Sequence, residues 1–160
     1  MKVRKIAYWV TTVYIAFSLF YGGLAEVLDA GWHVSISSIG LIGVVQVLGY
    51  PVYVLYLIGI WKILGAIAIL IPRTPRLKEW AYAGIFFNMS GAAVSWYAAT
   101  IVGAAQIPPG YGSPVFHFVN AIHLLVVTLI SWALRPDSRK IGNLFPWPEI
   151  REKGEATHAA

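Results

Sequence analysis

Lys62 is the first residue that asks for chemistry. It sits inside "YLIGIWKILGAIAIL", residues 56 to 70, where twelve of fifteen residues are aliphatic or aromatic. A cation in such surroundings needs a partner, and the partner points toward function. Other polar groups inside long apolar runs are Ser18, Asn88 and His123, with Glu26 near the end of the first run. Glu79, Asn120, His117 and Ser95 form a second tier. Lysine with serine and asparagine can hold the polar head of a small apolar molecule. Lysine with histidine can act as an acid–base pair. His33, His117 and His123 lack the i,i+4 or facing spacing expected of metal or haem ligands. Cysteine is absent, which excludes disulfides, iron–sulfur clusters and Cys-ligated zinc. No metal site is therefore read, and no phosphate loop, nucleophile elbow or metal-hydrolase motif is present.

These groups must be positioned by membrane helices. The 160 residues are 58% hydrophobic and 12% charged, about half the charged fraction of a soluble domain. Mean hydropathy is +0.67. Four runs, about 6–28, 50–71, 77–102 and 116–134, each approach or exceed the ~20 residues that span a bilayer. The expected fold is all-α: four transmembrane helices in a bundle plus a short interfacial or re-entrant helix after Ser38. Ser37 or Ser38 would cap that short helix. Residues 1–134 form the membrane domain and 135–160 a polar tail, whose "NLFPWPEI" can rest in the interface through Phe145 and Trp147.

Charge placement orients the bundle. Eleven of the twelve Lys and Arg residues, all but Lys62, fall on one side of four spans. The positive-inside bias makes that side cytoplasmic, with both termini inside. A fifth span at 37–49 would scatter them. The net charge of +5 is thereby explained by orientation and anionic lipid, without nucleic acid. Residues 1–25 also outline a cleaved signal ending in "GLA". Their apolar run of about 17 residues is longer than usual and aromatic-rich, which favours a retained span. In "IPRTPRLKEW", Pro72 ends one helix, Pro75 opens the next, and Thr74 is the expected N-cap. Pro51 of "LGYP" is expected in the first turn of the second span.

The helix bearing Lys62 inserts despite its cation. A central lysine costs ~2.5–3.5 kcal/mol, while twelve Leu, Ile and Val residues from Val52 to Ile71 return roughly 4–7 kcal/mol. At ~1.5 Å per residue Lys62 lies ~17 Å below the outer boundary, too deep to snorkel. Depth alone matches it with Ser18, Asn88 and His123. Pairing with Glu26 or Glu79 requires tilted helices or unequal span starts. Ala81, Gly84, Asn88, Gly91 and Ser95 share one stripe, and Gly59, Lys62 and Ala66 another. Such small residues let helix backbones approach closely. His117, Asn120, Leu124, Thr128 and Ser131 line a stripe of the last span. "NMS" at Asn88 is buried in a span and is no glycosylation acceptor.

From "LGYP" through "WKILGAIAIL-P" to "PRLKEWAYAGIFFN", residues 48 to 95 resemble the DoxX-like family of small bacterial four-helix membrane proteins. The resemblance implies an integral protein of the cytoplasmic (inner) membrane. The family name comes from a subunit associated with a quinol oxidase and thiosulfate:quinone oxidoreductase, and relatives are linked to redox-stress membrane complexes. The family lysine in "WK" falls on Lys62 and the "KEWAYAG" glutamate on Glu79. Many members carry Asp where this chain has Asn88, and His where it has Trp96. Asn88 accepts a hydrogen bond from an ammonium without neutralising it.

Together these readings give an accessory or ligand-binding subunit of membrane redox chemistry rather than an enzyme on its own. A quinone is the cofactor class it would take, and haem is disfavoured. Its partners are the lipid bilayer and either other subunits of a membrane complex or further copies of itself. Two alternatives stand beside this: a small membrane enzyme using Lys62 and His123 on an apolar substrate, and a structural, chaperone-like bundle.

Overall fold

The computed structural model describes residues 2–32, 41–101, 113–136 and 139. His33, Ser37, Ser38, residues 102–112 and the tail beyond Arg139, with Phe145 and Trp147, lie outside the described residues.

The apolar runs form helices close to the expected bounds. These are α1 (Lys2–Trp32), α3 (Val52–Leu70), α4 (Pro75–Ile101) and α5 (Pro114–Ala133), with a seven-residue α2 (Leu41–Val47) between the first two. Among the described residues, α1, α3 and α5 are long and apolar enough to cross a membrane. The 27-residue α4 is not among these three, and Lys78, Glu79, Asn88 and two serines make it more polar. Phe17, Trp61 and Phe87 stand 64–70% exposed on the outside of the bundle. A soluble surface rarely tolerates such an apolar expanse, whereas lipid requires one. The chain is a multi-pass membrane protein in contact with the bilayer.

The long helices close a ring in the order α1, α3, α4, α5. Its tightest seam joins α1 to α3. A Cβ on Gly23 would come within 2.6 Å of the Gly59 carbonyl oxygen, and one on Gly59 within 2.8 Å of the Gly23 oxygen. Backbone therefore meets backbone there, as expected for the face of α3 that carries Gly59 and Lys62. The stripe on α4 behaves otherwise. A Cβ on Gly84 or Gly91 would meet nothing within 4 Å, so these glycines bring no helix close. The physical reason is that α3 and α4 form a looser seam, and this face of α4 looks into the gap between them. Behind the gap lies the packed core of Ile15, Ala16, Leu19, Ala66, Ile69, Tyr82, Ile85 and Met89.

The short helix is held from both ends. Asp29 of α1 accepts hydrogen bonds from the Leu41 and Ile42 amides at 2.6 and 3.1 Å, capping α2 across sequence. At its far end Gly49 takes φ +80°. The Gly49 and Tyr50 amides return to Gln46 and Val45 carbonyls, a Schellman ending that suits glycine. Pro51 then stands at the N-cap of α3 rather than within its first turn. Asp29→Ala is expected to remove about 0.5–2 kcal/mol locally. Hydrogen exchange should then quicken at residues 41–47 while α1 and α3 keep their protection; unchanged exchange would show that the cap is idle.

At the end holding the N-terminus, buried polar groups tie the helices together. Thr12 and Tyr82 each reach the Ser131 hydroxyl at 2.8 Å, linking α1, α4 and α5. Lys78 is fully buried and donates to the Ala68 and Ile69 carbonyls, the last-turn acceptors of α3. The Thr74 carbonyl accepts the Lys78 amide as an N-cap should, while its hydroxyl donates back to the Ile71 carbonyl at the end of α3 at 3.5 Å. Arg139 lies over the rings of Tyr8 and Trp9 and donates to the Tyr8 hydroxyl at 3.1 Å.

Candidate functional site

Lys62 finds its counter-charge in Glu26. The ammonium donates to Glu26 Oε1 in an ion pair whose side chains are 16% and 12% exposed. The Gly23–Gly59 crossing builds this pair. A Cβ on Gly59 would lie 3.0 Å from the Glu26 Cβ, and one on Gly23 2.9 Å from the Lys62 Cβ. Each charged residue thus starts beside the other helix's glycine, and the side chains reach toward one another. Glu26 lies six residues before the end of α1, and Lys62 ten after the start of α3. That offset is roughly 6 Å along the axis at ~1.5 Å per residue, within reach of two long side chains.

The pair stands in the wall of a cleft of about 990 Å³ between α3 and α4, closed at one end by α2. Asn88 lines the same cleft from α4, as do Ala81, Gly84, Gly91 and Ser95 of its small-residue stripe. Asn88 makes no side-chain hydrogen bond among the described residues. Ser95 receives or gives a hydrogen bond to the Tyr50 hydroxyl at 2.9 Å, beside the stacked rings of Trp96 and His117. His117 and Asn120 contribute the α5 edge. Most of the remaining lining is apolar, with Trp61 and Trp80 on the lipid side. The other oxygen of Glu26, Oε2, is buried and has no hydrogen-bond partner among the described residues.

Depth matching ranked the partners wrongly at two positions. Ser18 turns its hydroxyl back to the Tyr14 carbonyl on its own helix and lines no part of the cleft. His123 is exposed, with its ring edge-on to Tyr14 at 5.6 Å, and is likewise absent from the cleft. Equal depth places two residues in one layer of a bundle but says nothing of which way each points. Glu79 belongs to the opposite end, where it accepts from Arg135 at 2.8 Å and from the Trp132 indole at 3.0 Å. Arg135, read as the start of the tail, is buried over the Tyr82 ring. Lys78, Tyr82 and Arg135 are buried polar groups that spacing and composition did not single out. Their signal was faint: Lys78 and Arg135 sit within one turn of a helix end, where lysine and arginine are expected in water.

A profile described as the DoxX-like family matches residues 10–131. No curated protein and no solved structure matches the chain.

Proposed function

The chain belongs to the DoxX-like family, and from that premise we propose that it is a binding subunit of the inner membrane that holds a lipid-soluble redox molecule by its head. In this reading α4 is the fourth span, both termini are cytoplasmic, and the molecule is of the quinone class. The single observation that carries the proposal is a buried ion pair, Glu26–Lys62, set in the wall of an apolar cleft of about 990 Å³. That volume is at the upper end of small-molecule sites. Intramembrane charges are rarely kept without use, and here they share a hydrophobic slot with Asn88, which lines it from the α4 side. A tail can lie between α3 and α4 toward lipid while the head rests at the pair. The acid–base alternative draws no support from the geometry, because His123 stands outside the cleft.

The glycines of α4 supply a clean test. Gly84→Leu places its side chain into open space, and leucine favours a helix over glycine by several tenths of a kcal/mol to about 1 kcal/mol. The variant should therefore be as stable as the parent, or more so, yet fill the cleft. Mass spectrometry of gently purified parent protein should report a small apolar molecule near one per chain, and Gly84→Leu should reduce it about tenfold or more. A stable Gly84→Leu protein carrying the same amount would show that the cleft is not the site.

A further inference from the structure

We infer that the cleft selects a head group carrying a hydroxyl donor, so that a lipid-soluble hydroquinone or phenol binds in preference to an acceptor-only quinone. This rests on the binding reading above and names the chemical form it takes.

Some of the donors and acceptors at the ion pair are already engaged. Lys62 donates one N–H of its ammonium to Glu26 Oε1 in a hydrogen bond. Glu26 is only 9% exposed as a residue, and its Oε2 accepts nothing among the described residues. A buried carboxylate oxygen without a donor is costly, and the cost is recovered when a donor arrives. An acceptor-only head can accept from the remaining N–H groups of Lys62, as a hydroxyl oxygen can too, but it cannot supply a donor to Oε2. A hydroxyl can do so. The last torsion of a glutamate is soft; turning it moves both oxygens together, so Oε2 swings from its covered position toward the cleft while the long, flexible Lys62 side chain follows Oε1. Asn88, across the cleft and free of side-chain hydrogen bonds among the described residues, can serve the second oxygen of the head. Its amide accepts from or donates to a hydroxyl equally well, so it adds hold without opposing the choice made at Glu26.

The experiment uses the full-length protein in lipid nanodiscs and three probes with one alkyl tail: a benzoquinone, its hydroquinone, and the hydroquinone dimethyl ether. Quenching of tryptophan fluorescence reports binding. The hydroquinone should bind about 10- to 100-fold tighter than both other probes, the range expected for a hydrogen bond to a charged group. Glu26→Gln, whose amide offers a donor as well as an acceptor, should compress that preference to about threefold or less. Where Glu26→Gln does not fold, the ether comparison on the parent protein still decides. Equal affinity for hydroquinone and its ether overturns the donor inference and leaves the cleft as a binding site. Failure of all three probes to bind removes the binding reading as well.

Discussion

Lys62→Met is expected to destabilise the bundle by about 3–5 kcal/mol, the usual cost of leaving one member of a buried ion pair alone. The stranded group is Glu26, whose Oε2 already lacks a partner among the described residues and whose Oε1 would then lose its only donor there. Glu26→Gln should cost a similar amount, because it leaves the ammonium of Lys62 in the same wall. The double variant Glu26→Gln/Lys62→Met removes both charges and keeps the volumes. It should recover most of the loss, returning to within about 1–2 kcal/mol of the parent. Reversible unfolding in mixed micelles, followed by circular dichroism, measures all four members of the cycle. Additive single and double effects would mean that the two residues do not sense each other, and the ion pair would be no part of the fold. If the double variant is stable but no longer retains the bound molecule, the charges serve binding rather than assembly.

Gly23 and Gly59 should also resist substitution. A methyl on Gly23 would sit 2.6 Å from a backbone oxygen of α3 and 2.9 Å from the Lys62 Cβ. Neither atom is the far end of a flexible side chain, so the helices themselves must part. Gly23→Ala and Gly59→Ala should each cost about 1–3 kcal/mol or more from overpacking, although alanine is the better helix former. Gly23→Val or Gly59→Leu should prevent the α1–α3 seam from closing and leave no folded protein to extract. Because this seam also sets Glu26 beside Lys62, the alanine variants should weaken ligand retention in proportion to their destabilisation. Gly84→Ala and Gly91→Ala are the matched controls and should lie at or above parental stability, their Cβ atoms meeting nothing. Similar stability for all four alanine variants would show that α1 and α3 do not touch backbone to backbone.

The contrast between these glycines marks how far the sequence could be read. Spacing put Gly59 with Lys62 on one face, and Gly84 and Gly91 with Asn88 on another; both placements hold. Small residues mean close approach in the first case and an open cleft in the second. Periodicity tells which residues share a face, but a glycine looks the same whether its missing side chain admits a neighbour or leaves a space. The short helix shows the same limit. Its place followed from an apolar run too short to span, yet the capping carboxylate comes from Asp29, twelve residues before Leu41.

By itself the sequence determined what bulk solvation dictates. Hydropathy over runs of about 20 residues requires α-helices in lipid, because no other local structure satisfies the backbone there. Proline and glycine then place the helix ends within a few residues. The same arithmetic made Lys62 a buried cation that needs company. Only the tertiary structure decided who provides it. Axial depth is one coordinate, while a contact requires three: helix rotation, crossing point and offset of the ends. The Gly23–Gly59 crossing sets these for α1 and α3, and so chose Glu26, which depth alone disfavoured. It left Asn88 across an open cleft and turned Ser18 and His123 away. A kilocalorie scale for insertion sums over residues one at a time, whereas a site exists only where particular side chains meet.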